Sequence, residues 1–128
     1  MHYRSLYDDI RFEFQQRYMT ADGNLKQTSQ TAYLLALRFD LLPEPYRQMA
    51  RDSLRQRIET NDYCLSTGFV GTGILCKTLT DEGMNDLAYA LLLQRKNPSW
   101  LYSIDQGATT VWERWDSYKQ EEGFHKHD

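Results

Sequence analysis

Apolar residues recur every three or four positions along most of this chain, a spacing that predicts a succession of helices. The periodicity predicts five of them, over residues 3–19, 28–41, 44–60, 74–79 and 84–96. Between residues 99 and 105 the pattern changes, because Trp100, Tyr102 and Ile104 alternate with smaller or polar residues. This alternation predicts a short extended piece.

Brief connections separate the predicted helices. Pro43 and Pro45 end the second helix and begin the third. The outer face of the third helix carries charged residues that we interpret as a solvated surface: Arg47, Arg51, Arg55, Arg57 and Glu59. Since consecutive helices with short loops pack as antiparallel hairpins, the predicted fold class is all-α.

The most unusual stretch is residues 107–116, where Glu113 lies between Trp112 and Trp115 directly after a glycine turn. The pattern predicts a helix start here, on which indoles three residues apart share a face. Thr110 and Glu113 fit the spacing of a capping box. A carboxylate beside aromatic rings also suits a sugar site, with a base for water and an apolar platform for the ring. The local pattern leaves both interpretations open.

A second unusual stretch is the glycine-rich run at residues 65–73. It lacks the Lys-Ser/Thr ending of a phosphate loop, and its glycine order differs from the dinucleotide fingerprint. The run predicts a tight loop that leads into a short helix. Close backbone packing between helices is an equally good interpretation of its glycines.

Bulk properties limit the classes of partner. The 128 residues suit one domain, and 15 basic against 18 acidic residues give a formal charge of −3 without a basic run, which argues against nucleic-acid binding. No stretch approaches the roughly 20 apolar residues that cross a bilayer, so we expect no membrane partner. Residues 1–9 lack the hydrophobic region of a signal peptide. The address of a parent protein is left open between cytoplasm and periplasm.

The potential metal ligands are few. His125 and His127 stand two apart near the end of the chain, far in sequence from His2, so a closed ligand set is not expected. We expect neither a metal nor a cofactor. Cys64 and Cys76 are predicted to be buried free thiols.

Residues 109–116, TTVWERWD, resemble the catalytic-base segment of bacterial α-L-rhamnosidases, glycoside hydrolase family 78. Further matches precede it in the expected order, so the resemblance extends from about residue 6 to residue 116. They are QTAY at 30–33, LSTGFVGT at 65–72, DLAY at 86–89 and PSW at 98–100. The TGFVGT and WERW strings are the most specific parts.

The resemblance implies a fold of two concentric helical layers, the (α/α)6 barrel, of which this chain would be roughly the second half. Residues 1–116 would then be a partial catalytic domain, and residues 117–128 a flexible polar tail. The remainder of the barrel is the expected partner. Without it, exposed helix flanks would make the isolated chain marginally stable or self-associating.

The resemblance also implies an inverting hydrolase of terminal α-L-rhamnosides, with a rhamnose-containing glycoside or polysaccharide as substrate. Glu113 aligns with the general base, while nothing matches the segment that carries the general acid, so we expect the isolated chain to be inactive. The implied substrate-binding residues are Trp100, Trp112, Trp115, Thr67 and Gly68.

Two other functions compete with this interpretation. One is a non-catalytic helical module that binds sugar or protein and keeps the barrel motif without the acid. The other is a hydrolase of uronides on the same barrel, which the few arginines near Glu113 support poorly.

Overall fold

The computed structural model describes residues 2–124. This part of the chain contains six helices and one two-stranded hairpin. The helices are α1 (His2–Tyr18), α2 (Gln30–Arg38), α3 (Glu44–Thr60), α4 (Phe69–Asp81), α5 (Asn85–Leu93) and α6 (Trp100–Asp105). The strands β1 (Tyr118–Lys119) and β2 (Gly123–Phe124) pair antiparallel.

The helices pack as hairpins. The α2 and α3 helices form one hairpin and α4 and α5 another, and α2 also packs against α4 so that the two pairs share a core. The buried apolar side chains of this core are Leu25, Tyr33, Leu34, Ala36, Leu37, Leu42, Ala50, Leu54, Ile58, Leu65, Leu75, Leu79, Met84, Leu87, Ala88 and Leu91. The all-α fold of helical hairpins that the sequence predicts is confirmed.

Local sequence signals place several helix ends. The Ser29 side chain accepts a hydrogen bond from the backbone amide of Ala32 and begins α2. Pro45 lies in the first turn of α3, where its missing amide proton costs nothing. The predicted bounds of α3 match the structure, whereas α4 begins at Phe69, five residues before the predicted position 74.

The α1 helix lies outside the core. None of its side chains is buried, although Phe14 packs against the core from one side. Its contacts with the chain after α2 include hydrogen bonds from Tyr7, Arg11 and Gln15 to backbone carbonyls of residues 39–42. Apolar side chains on the rest of α1 stay exposed, namely Tyr3, Leu6, Ile10, Phe12 and Tyr18.

The prediction for the two cysteines has a mixed outcome. Cys64 and Cys76 are free thiols as expected, but only Cys64 is buried. Burial raises the pKa of both thiols above the ordinary value. No helix within residues 2–124 is long and apolar enough to span a bilayer.

The chain after residue 116 contains the β1–β2 hairpin, in which the rings of Tyr118 and Phe124 meet at 5.1 Å. No pattern in the sequence predicts these two short strands. The polar tail predicted for residues 117–128 also includes His125, Lys126 and His127, which lie outside the described residues.

Candidate functional site

One wall of the candidate site is the turn that precedes α4. Thr67 is buried, and its hydroxyl lies 2.8 Å from that of Thr72, which also donates to the carbonyl of Gly68 at 2.9 Å. Gly71 packs closely against Thr67 and Thr31, so that a Cβ there would lie 2.7 Å from the Thr31 hydroxyl oxygen. Close packing thus explains this glycine, and it fixes the buried Thr67 next to the exposed Gly68.

The second wall begins at α6. The backbone amide of Tyr102 donates to the Ser99 hydroxyl at 3.1 Å, which caps a helix starting at Trp100. The extended piece predicted for residues 99–105 is therefore wrong. Gly107, with φ of +86°, ends the helix, and its amide donates to the carbonyl of Ile104.

Residues 109–116, which we call the Glu113 segment, form bends and turns without a helix. The predicted helix start is therefore wrong, and with it the capping box of Thr110 and Glu113. The indoles of Trp112 and Trp115 do not share a helical face either. A capping box needs a helix to cap, and after residue 116 the chain turns into the β1–β2 hairpin.

Trp115 joins the two walls instead. Its indole N–H donates to the carbonyl of Thr67 at 2.8 Å, a contact across 48 positions of sequence. Its ring also meets that of Trp100 edge to face, with centroids 5.7 Å apart and planes at 88°. Trp100 and Trp115 both pack against the core.

Between the two walls lies an open cleft of about 780 Å³. It is lined by all six residues singled out in the sequence: Glu113, Trp112, Trp115, Trp100, Thr67 and Gly68. The structure brings these residues together, although their separation in sequence reaches 48 positions, from 67 to 115. Their roles stay predictions.

The cleft also includes residues that sequence reasoning missed. Phe69 and Val111 line the cleft, and these two residues are 88% and 91% exposed to solvent. Asp116 and Lys119 line it near Arg114. Asp116 belongs to the WERWD string and could have been found by its charge beside the indoles. Lys119 follows the string and carries no signal of its own.

The two carboxylates of the cleft, Asp116 and Glu113, differ in their ion-pair partners. Asp116 lies 3.4 Å from the Arg114 guanidinium and 3.9 Å from the Lys119 ammonium. Glu113 is exposed, and within residues 2–124 no hydrogen bond or ion pair involves its carboxylate. Arg114 therefore pairs with Asp116 rather than orienting Glu113. A solvent-facing carboxylate without a partner is able to accept a proton from a bound water.

The described residues contain no cluster of metal ligands. In the part of the chain that the structure describes, no three or more His, Cys, Asp or Glu side chains are grouped to hold an ion. Of the histidines considered in the sequence, His2 begins the exposed α1 helix, and His125 and His127 lie outside the described residues.

Over residues 1–128 the sequence matches the family described as the bacterial alpha-L-rhamnosidase 6 hairpin glycosidase domain. The chain belongs to this family. Among proteins named alpha-L-rhamnosidase, one from Streptomyces avermitilis is 49% identical over 122 residues, which are 95% of this chain and 12% of that protein. Another from Formosa agariphila is 45% identical over 124 residues, or 95% of this chain and 13% of the relative.

Solved α-L-rhamnosidase structures share the fold. The Streptomyces avermitilis enzyme in complex with L-rhamnose superposes with a TM-score of 0.91 at 49% identity, over 96% of this chain and 12% of that one. The native Aspergillus terreus enzyme gives 0.93 at 37% identity, over 98% and 15%. The chain thus spans about an eighth of the length of these rhamnosidases. Its helical hairpins match part of the six-hairpin glycosidase domain, which confirms the fold class expected from the resemblance.

Proposed function

We propose that this chain is one section of the catalytic barrel of an inverting α-L-rhamnosidase, and that Glu113 is its general base. The substrate is a glycoside or polysaccharide with terminal α-L-rhamnose. The observation that carries the proposal is the cleft, where an exposed carboxylate without a partner among residues 2–124 lies among indoles and the Thr67 turn. Membership of the rhamnosidase family is the reason for naming rhamnose as the sugar.

Inversion needs two carboxyl groups, separated by about 6.5–9.5 Å so that a water molecule fits between the base and the sugar. Glu113 takes a proton from that water while the oxygen of the water attacks the anomeric carbon. The leaving oxygen departs from the opposite face and is protonated by the acid. Asp116 is paired with Arg114 and Lys119, so the proposal assigns the general acid to the remainder of the barrel.

The other cleft residues bind the sugar in this proposal. Trp112 is half-buried in the cleft and offers its ring as an apolar platform. Thr67 and Gly68 form the wall opposite the Glu113 segment. Trp100 lies in the second wall, at the start of α6, where it packs against Trp115.

The test is Glu113→Gln in the complete protein, that is, this segment within a full catalytic barrel. We expect kcat on an α-L-rhamnoside to fall by about 10²–10⁴-fold, the usual contribution of a general base. The matched control is Glu121→Gln, a loss of the same charge at an exposed residue outside the cleft. Undiminished turnover by Glu113→Gln would remove Glu113 from the mechanism.

The stereochemistry is tested separately. Proton NMR during the first turnovers should show β-L-rhamnose before mutarotation produces the α anomer. Initial release of the α anomer would mean a retaining mechanism, in which the carboxylate forms a covalent intermediate instead of activating water.

A further inference from the structure

The Glu113 segment is attached to the rest of the molecule at few points. The amide of Ala108 donates to Ser103, and the amide of Ser117 donates to Arg114 within the segment's own end. Apart from the bond between Ser117 and Arg114, residues 109–114 make no hydrogen bond to any other described part of the chain. The position of Glu113 therefore depends on the next contact along the chain, which is made by Trp115.

The contact made by Trp115 is built to hold a fixed position. Its indole N–H has one acceptor, the Thr67 carbonyl at 2.8 Å. Thr67 is itself buried and bonded through its hydroxyl to Thr72, and Gly71 packs against its side chain. The orientation of the Trp115 ring is set by its edge-to-face contact with Trp100.

We propose that Trp115 is a positioning residue for the base, and that it holds Glu113 at the distance from which it deprotonates the water. Two residues of extended chain span about 7 Å, so an anchor at residue 115 restricts where the Glu113 carboxylate can lie. The inference rests on the proposed function of Glu113. It assigns to Trp115 a role other than stacking on the sugar.

The distinguishing variant is Trp115→Phe in the complete protein, which keeps an aromatic ring beside Trp100 and removes the N–H. Because a misplacement of about 1 Å costs a catalytic group up to about 100-fold, we expect kcat to fall by about 10- to 100-fold. KM should stay nearly unchanged, since the sugar contacts remain. A higher KM with unchanged kcat, or wild-type kinetics, would overturn the proposal.

A second measurement bypasses the base. In a Glu113→Ala variant with sodium azide, the azide anion attacks the anomeric carbon as the leaving oxygen departs, and β-L-rhamnosyl azide forms. No proton is taken from the nucleophile, so the base is not needed. Adding Trp115→Phe to Glu113→Ala should leave the azide rate unchanged. An equal loss in the hydrolytic and azide reactions would mean that Trp115 acts on the fold or the sugar instead.

The matched control is Trp112→Phe, the same change at a cleft indole whose N–H has no acceptor among residues 2–124. As a sugar contact, it should weaken the azide reaction as well as hydrolysis, which shows that the azide assay detects binding defects. The two proposals fail differently. Full hydrolysis by Glu113→Gln, or no azide product from Glu113→Ala, would refute the assignment of Glu113 as the base. An inactive Glu113→Gln together with an unaltered Trp115→Phe would refute only the role of Trp115.

Discussion

Arg47 and Glu82 form an ion pair between α3 and the turn that joins α4 to α5, with Nη2 and Oε1 2.5 Å apart. Both side chains are largely shielded from solvent, at 14% and 11% exposure. Arg51 reaches the other oxygen of Glu82 at 2.9 Å. The arginine face of α3 is thus only partly the solvated surface that the sequence indicated, because it binds the neighbouring hairpin.

Glu82→Gln should lower the free energy of unfolding by about 1–3 kcal/mol, since two charge-assisted hydrogen bonds lose their anion in a partly buried place. Urea unfolding followed by circular dichroism measures the change. Glu59→Gln is the control, because Glu59 meets Arg55 at 3.6 Å on an exposed face and should cost about 0.5 kcal/mol or less. Equal costs for the two variants would contradict the buried role of Glu82.

Gly71→Ala should destabilise the fold although alanine is the better helix former. Its Cβ would lie 2.7 Å from the Thr31 hydroxyl oxygen and 3.1 Å from Cβ of Thr67, and such overpacking costs about 1–3 kcal/mol. Gly73→Ala, in the same helix with no atom within 4 Å of the new Cβ, should instead stabilise by up to about 1 kcal/mol. The sign difference is measured by thermal or urea unfolding. A stabilised Gly71→Ala would show that α2 and α4 are not so closely packed.

The Asp86 carboxyl makes a contribution to the stability of the fold that depends on pH. Its hydrogen bonds from the Arg55 guanidinium hold the pKa of this carboxyl below its ordinary value of 3.8. A depressed folded-state pKa means that the pair stabilises the fold above pH 3.8 and that this contribution is lost as the pH falls through the folded pKa.

Arg55→Gln should return the Asp86 pKa toward 3.8, as followed by NMR titration of the carboxyl carbon. Arg57→Gln removes a charge from the same helix at a residue that bonds Thr28 instead. It should leave the Asp86 titration where it is. A pKa that responds equally to both variants would point to general charge rather than to the hydrogen bonds.

The isolated chain should self-associate through the exposed apolar side of α1. Ile10→Glu in the middle of that side should reduce the association, as seen by sedimentation velocity over a range of concentrations. Gln16→Glu, which adds the same charge at an exposed polar position of α1, is the control. A monomer at all concentrations would remove the expectation.

The sequence was a good guide where the pattern was long. The α3 helix runs over 17 residues, and its apolar positions Ala50, Leu54 and Ile58 repeat four apart on the buried face. The α6 helix has only six residues, over which alternation and helical spacing cannot be told apart, and the Ser99 cap decides it.

The Glu113 segment shows the opposite case. Its residue types indicated a sugar site and a helix start, and the structure supports the grouping of the site residues in one cleft without the helix. The shape of the segment depends on a contact between Trp115 and Thr67, 48 positions apart. Local sequence contains no information on a contact at that distance, so only the family resemblance could bring the two stretches together.

The polar attachment of α1 has a consequence for how the molecule opens. Tyr7, Arg11 and Gln15 donate to the successive carbonyls of residues 39–42, which would otherwise bind water. Releasing α1 therefore exchanges protein hydrogen bonds for solvent ones and uncovers little of the core. We therefore expect the helix to open as a separate cooperative unit, whose amides exchange with deuterium by local opening while those of α2 exchange only when the whole domain unfolds.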